Sequence, residues 1–197
     1  MVAMSTTPTE ATVTFSTELT IATSEALLAD VEGHAEHGVE HIQLAMSTRG
    51  GEVASAMMLF EELIASPIKL VTYATGEVAS SGILPFLAGD RRCASPDATF
   101  LMHPFKIKAN PEWPTAVEWL DIQDLHTLER SSRDQQVLRE LDLGVLRLAR
   151  QEREVRAVVE QCTKLTGSEI TKLVQLTEPV DATYALAVGI VHEIAAL

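Results

Sequence analysis

His41-Ile42-Gln43-Leu44-Ala45-Met46-Ser47-Thr48-Arg49-Gly50-Gly51 is the stretch that decides the fold. His41–Met46 is a short apolar run of strand length, and the glycine pair breaks it. Beyond the break, Val53, Met57, Phe60 and Ile64 recur at helical spacing. A helix is therefore expected over 53–65, stopped by Pro67. Ile68–Ala74 then reads as a second strand. Strand, helix and strand within about 35 residues form the βαβ unit of a parallel sheet, with a right-handed crossover.

Upstream, residues 1–12 are polar and small and are expected to be a frayed N-terminus. Val13–Thr20 reads as a first strand. A helix follows over Ser24–His37, with Thr23 or Ser24 as its N-cap. Downstream, Gly76 is expected to end the second strand, and Ala79–Ala88 to be helical despite Gly82 and Pro85. Arg92–Ala94 and Thr99–His103 are short strands. From Thr115 the pattern becomes helical and mixed in charge. Val145, Leu148, Val155, Val158, Val159 and Cys162 keep helical spacing, and Gly144 is expected to split the stretch into two helices. The second, about 20 residues and about 30 Å long, carries a stripe too long for a small sheet to bury, which implies a partner subunit. Thr166-Gly167-Ser168 ends it, Asp181 caps a helix over 182–188, and Gly189-Ile190-Val191 leads into a last strand. The whole is a single α/β domain over 1–197, with an extended helical handle region at 113–165.

The 197 residues are 46% hydrophobic and 22% charged, which suits a packed core. Fifteen Lys and Arg stand against 28 Asp and Glu, a net charge of −13. Neither nucleic acid nor an anionic membrane surface is an expected partner for such a chain. The first basic residue is Arg49, so no secretory or transit signal is expected, and no apolar run is long enough to span a bilayer. Cys93 and Cys162 lie far apart and make neither a disulfide framework nor a zinc site. A reducing, cytoplasmic setting is expected, with no cofactor. His34, His37 and His41 resemble a ligand set, but His41 should start a strand away from the other two. A solvated cluster is the expected state, with no metal.

Two strand ends marked by glycine face the same way in a parallel sheet, where sites gather. Gly50-Gly51 follows one. Gly76-Glu77-Val78-Ala79-Ser80-Ser81-Gly82 follows the other and sets two serines at a helix start. A serine nucleophile needs N–H donors for the oxyanion and an imidazole as base. His103 ends the next strand and is placed to serve as that base. The same residues also make an ordinary glycine turn, a serine cap and a strand-end histidine.

At these residues the sequence resembles the ClpP/crotonase superfamily, and within it most of all the proteolytic subunits of the Clp protease. Ser47-Thr48-Arg49-Gly50-Gly51 matches the family's N-S-P-G-G stretch, with Arg49 in place of the usual proline. Gly76–Gly82 matches its serine segment, and Leu101-Met102-His103-Pro104 its histidine strand. Tyr184–His192 loosely matches its C-terminal signature. The spacing of 29 residues from Gly51 to Ser80 is the family's.

The resemblance implies repeated ββα units and a serine endopeptidase. Ser80 would be the nucleophile and His103 the base, with the N–H groups of Gly51 and Ser81 as oxyanion hole. Ser81 is a second candidate nucleophile, without the family spacing. The substrate would be a peptide or unfolded protein, and the assembly a homo-oligomeric ring. The family's third triad residue, an aspartate, falls on Thr177, and Glu178 and Asp181 are the nearest carboxylates. Only about a dozen residues precede the first expected strand, too few for the axial loops that meet an ATPase ring, so hydrolysis without an unfoldase is the expectation. The segment from His103 to Thr166 is longer than the family's handle, which bears on how rings stack. A catalytically inactive structural subunit and a crotonase-like acyl-CoA thioester enzyme are the alternatives.

Overall fold

The structure, a computed structural model, describes residues 9–176 and 178–196. β1 (Glu10–Phe15), α1 (Ile21–Glu36), β2 (His41–Thr48), α2 (Val53–Ala65) and β3 (Lys69–Ala79) follow one another. The three strands pair in parallel, with Glu10 opposite His41 and Ile42 opposite Leu70, as the βαβ reading requires. α2 has the expected bounds. β1 does not. Residues 10–12, expected to fray, are paired to β2, and the strand stops at Phe15. The chain leaves the sheet there because Leu19, 0% exposed, makes an isolated parallel bridge to Gly51. The α1 cap is Thr20, not Thr23 or Ser24. Thr20 and Thr23 exchange side-chain and backbone bonds in a capping box, and Ser24 is buried inside the first turns.

β3 runs on through Gly76, the residue expected to end it. A Cβ at Gly76 would meet Ser47 Oγ at 2.8 Å, so this glycine permits a close pass beside β2 and does not break the strand. Ala79 is still extended. A 3₁₀ turn at Ser80–Gly82 and the short α3 (Ile83–Leu87) replace the longer helix expected over 79–88. The first half of β3 pairs with β4 (Arg91–Ala94) and the second half with β5 (Thr99–Leu101). The two halves thus carry different neighbours, and the change falls just before the serines.

After β5 comes a hairpin of β6 (Ile107–Lys108) and β7 (Trp119–Leu120), then α4 (Ile122–Ser131) and α5 (Gln135–Cys162). α5 is one helix of 28 residues, about 42 Å long, and Gly144 does not divide it. Gly144 is where α5 presses on its neighbours: a Cβ there would lie 2.9 Å from Ile107 Cδ1 and 3.3 Å from Leu125 Cδ1. The break falls earlier, at Ser132–Asp134, where Asp134 accepts from Gln136 N–H and Val137 N–H. Two apolar clusters share α5. Leu141 and Leu148 pack with Trp113, Leu120, Leu125 and Leu128, while Val158 and Val159 join the main core under the sheet. The stripe expected to need a partner subunit is therefore covered within the chain, leaving Leu143 and Leu146 exposed.

α6 (Gly167–Val174) follows. β8 (Val180–Asp181) pairs antiparallel to β5, Asp181 caps α7 (Ala182–Ala187) as expected, and β9 (Glu193–Ile194) lies beside β4. Among the described residues no helix is long and apolar enough to cross a membrane. Cys93 and Cys162 are free thiols, both pushed up in pKa by burial.

Arg92 on β4 is 7% exposed and donates to three carbonyls: Ile190 O at 2.8 Å, Cys162 O at 2.7 Å and Gly189 O at 3.0 Å. It joins the sheet to the end of α5 and to the turn before β9. Burial pulls its pKa down. Arg92→Leu strands all three carbonyls, and a loss of about 3 kcal/mol is expected in urea unfolding, since a hydrogen bond to a charged group contributes roughly 1.5–3 kcal/mol and burial of the cation offsets part of the sum.

Glu140 on α5 is the polar anchor of the handle. It accepts from Trp113 Nε1 at 2.9 Å, Gln136 Nε2 at 3.3 Å and Asn110 Nδ2 at 3.1 Å. These bonds, that from Trp113 first, hold its carboxyl below its ordinary 4.5. A carboxylate more acidic folded than unfolded stabilises fully above that value and stops doing so as the pH falls through its folded pKa. In a Trp119→Phe background, Trp113 fluorescence is expected to report loosening of the handle below pH 4.5. An unchanged circular dichroism signal over the same step separates it from global unfolding. Glu140→Gln, which keeps an acceptor without the charge, is expected to remove that step.

Candidate functional site

β2 ends at Thr48, which is 4% exposed; its Oγ1 donates to Thr17 O at 2.6 Å and accepts from Gly50 N–H at 3.1 Å. Gly50 and Gly51 follow with φ of 87° and 151°, a region that favours glycine. Leu19 N–H donates to Gly50 O at 2.9 Å, and Glu52 N–H donates to Leu19 O at 2.8 Å. The approach leaves no room for side chains. A Cβ on Gly51 would sit 2.2 Å from Leu19 O, and one on Gly50 would sit 2.8 Å from Ser80 Cβ. Gly82 lies as close to β2, its Cβ position 2.7 Å from Thr48 Cγ2. Close glycine packing thus brings the strand end of β2 against the serine turn.

Ser80 stands at the junction of β3 and the 3₁₀ turn with φ of 55°, the sole positive-φ residue other than glycine among the described residues. Such a conformation costs about 1–3 kcal/mol and persists where the surroundings enforce it. Ser80 is half-buried and faces a cleft, while Ser81 is 0% exposed and faces inward. Ser81 Oγ accepts from Gly51 N–H at 2.9 Å and donates to Gly51 O at 3.0 Å. The N–H groups of Gly50, Gly51 and Glu52 are therefore all bonded within the protein, to Thr48 Oγ1, Ser81 Oγ and Leu19 O.

His103 lies two residues past β5. Its Nδ1 is 2.8 Å from Pro104 O. A carbonyl only accepts, so Nδ1 carries the proton and Nε2 of the neutral ring is left as the acceptor, the tautomer a base needs. No hydrogen bond joins the ring to Ser80 Oγ in this state, and among the described residues no carboxylate bonds to it. Thr177, where the resemblance puts the triad acid, lies outside the described residues. Glu178 is exposed, and Asp181 is committed to capping α7 through Tyr184 N–H at 2.7 Å.

Ser80, His103, Gly50 and Gly51 line one cleft of about 1430 Å³. Its far wall comes from the handle and the β6 stretch that pairs with it: Lys106, Lys108, Trp119 and, from α5, Arg147. Glu18, Glu52 and Glu77 lie on the sheet side, so the two walls differ in charge. The sequence reading missed the handle wall. Arg147 sits in a mixed-charge run whose spacing carries no sign of which face turns inward, and Lys106 and Lys108 flank Ile107 in a stretch without helical or strand pattern. His34 lies by Asp30, His37 Nδ1 bonds Gly33 O, and His41 starts β2. Among the described residues no three His, Cys, Asp or Glu side chains gather as a metal site.

The sequence model of the Clp protease family matches residues 3–111. The ATP-dependent Clp protease proteolytic subunit 1 of Mycobacterium leprae is 35% identical over 71 residues, which is 35% of this chain and 36% of that protein. The proteolytic subunit 2 of Mycolicibacterium paratuberculosis is 34% identical over the same length. The chain thus matches about a third of the length of these curated relatives. Solved structures agree over far more of the fold. A point mutant of ClpP1 from Listeria monocytogenes superposes with a TM-score of 0.73 at 17% identity, over 94% of this chain and 91% of that one. The ClpP protease catalytic domain from Plasmodium falciparum gives 0.70 at 13% identity, over 94% and 85%.

The packing of the glycine loop has a direct test. Gly51→Ala puts a methyl into the Leu19 backbone and is expected to cost at least about 2 kcal/mol in chemical denaturation. Gly33→Ala, inside α1 with nothing within 4 Å of the new Cβ, is expected to stabilise by up to about 1 kcal/mol.

Proposed function

The chain belongs to the Clp protease family, and on that premise we propose that it is a serine endopeptidase with Ser80 as nucleophile and His103 as base. The observation that carries this reading is the strained φ of Ser80 at a strand–helix junction in a cleft that His103 also lines. An extended peptide enters between the glycine loop and the handle wall. Ser80 Oγ attacks the scissile carbonyl and gives its proton to His103 Nε2. Pro104 O holds the Nδ1 proton and with it the ring's orientation. Collapse of the tetrahedral intermediate breaks the C–N bond, and the imidazolium protonates the leaving amine. Water, deprotonated by the same nitrogen, then releases the acyl group from Ser80. Gly51 N–H and Ser81 N–H are the donors for the oxyanion, the latter at the first turn of a helical segment whose leading N–H groups lack intrahelical acceptors.

A carbonyl fixes the tautomer but adds no negative charge to stabilise the imidazolium. Slow turnover follows from that difference; in a serine protease of another fold, replacing the triad aspartate by asparagine costs about 10⁴ in kcat. The reading includes a homo-oligomeric ring, in which a neighbouring copy would cover Leu143 and Leu146, and a reducing cytoplasmic setting suited to two free thiols. It needs no ATPase partner for peptides short enough to enter unaided.

Fluorophosphonate labelling of the purified protein, read by intact mass, tests it. One adduct is expected on the wild type, none on Ser80→Ala, and labelling slower by about 10²–10⁴-fold on His103→Ala. An adduct that survives Ser80→Ala, or a wild type that stays unlabelled from neutral to mildly alkaline pH, would sink the proposal. The second result would leave a structural subunit as the reading.

A further inference from the structure

The peptide unit between Gly50 and Gly51 is held at both ends. Its carbonyl accepts from Leu19 N–H at 2.9 Å, and its N–H donates to Ser81 Oγ at 2.9 Å. A trans peptide points these two groups in opposite directions, so the Gly51 N–H is turned toward the fully buried Ser81 side chain. The same hydroxyl closes the pair by donating to Gly51 O at 3.0 Å. An oxyanion in the cleft needs that N–H turned the other way. The residues on both sides of the peptide are glycines with positive φ, which is the local chemistry that lets a single peptide plane rotate without steric cost from a side chain. Ser81 is adjacent in sequence to the strained Ser80, so a shift of the Ser80 turn and release of the Gly51 N–H are mechanically linked.

We propose that the Ser81 hydroxyl is a latch that holds the Gly50–Gly51 peptide with its N–H turned away from the cleft, and that hydrolysis requires the latch to open. Ser81 is a positioning residue here, acting through Gly51, and the inference rests on the endopeptidase reading above. Opening exchanges two hydrogen bonds, Gly51 N–H to Ser81 Oγ and Leu19 N–H to Gly50 O, for one to the anion that forms on the substrate carbonyl. Anionic transition states and their mimics therefore favour the open form by their differential affinity for it. Arg49, exposed and 3.7 Å from Glu77, is the cation next in sequence to the peptide that turns.

Two readouts separate this proposal from the one beneath it. The first is hydrogen exchange resolved to the Gly51 amide in the full chain. Ser81→Ala is expected to raise its exchange rate about tenfold, the effect of losing one hydrogen bond of ordinary strength, with the change confined to Gly51 and its neighbours. The second is the fluorophosphonate labelling rate at Ser80, expected to rise about tenfold in Ser81→Ala by the same population shift. Ser81→Gly, which removes the hydroxyl and adds no bulk, serves if the alanine variant does not fold. Unchanged protection of Gly51 overturns the latch whatever the labelling does. Where the wild type labels, lost protection with unchanged or slower labelling also overturns it, because the hydroxyl then does not gate the site. Labelling abolished by Ser81→Ala but kept by Ser80→Ala makes Ser81 the nucleophile and overturns it as well. Lost protection with no labelling of any variant upholds the latch and removes the endopeptidase reading.

Discussion

Backbone packed on backbone where Gly50 and Gly51 cross Leu19 is the constraint on which the rest of the site depends. A Cβ at Gly51 would stand 2.2 Å from a carbonyl oxygen, so no other residue type fits this contact without moving the chain. The crossing explains why β1 stops at Phe15: the chain must leave the sheet in time for Leu19 to reach the glycines. It also starts α2. Glu52 has no side-chain cap bond, and its N–H is satisfied by Leu19 O. On the other side, Gly50 lies against Ser80 and Gly82 against Thr48, which sets the serine turn. A single close contact thus aligns the ends of three strands at one edge of the cleft.

Much of this is legible in the residues. The bounds of α2, the parallel pairing of β2 and β3, and the capping of α7 by Asp181 follow from local pattern. So does the meeting of Gly51, Ser80 and His103 in one cleft, since glycine-marked strand ends and a family spacing both point there. Glycine is also the source of the errors. Gly76 and Gly144 look like breaks, because glycine lowers the propensity for strand and helix alike. In the fold each is a site of close approach, to Ser47 and to Ile107 and Leu125, and the element runs on. Tertiary contact decides between these meanings, and one sequence does not carry it. The bond from Gly51 N–H to Ser81 is illegible for a related reason: it joins residues 30 apart through a side chain whose direction no local rule sets.

Polar groups bind the pieces that apolar packing leaves separate. Arg92 gathers carbonyls from the end of α5 and from the turn before β9, so one buried cation closes the sheet's far edge. Glu140 does the corresponding work in the handle, where Trp113 and Asn110 reach it from the chain around the hairpin. Neither group stands in the cleft, and each fixes one of the two cores whose surfaces form its walls.

Those two cores share a single rod. Between Leu148, which belongs to the handle, and Val155, which packs on the main core, α5 crosses from one to the other without a hinge, a proline or a glycine. The cleft is thus the gap of a pair of jaws joined by a continuous spine. The sheet carries Ser80 on one jaw, and β6 and α5, with the stretch leading into β6, carry Lys106, Lys108 and Arg147 on the other. Widening the gap means flexing about two turns of continuous helix. A wider cleft is therefore an elastic strain of α5 rather than a swing about a joint.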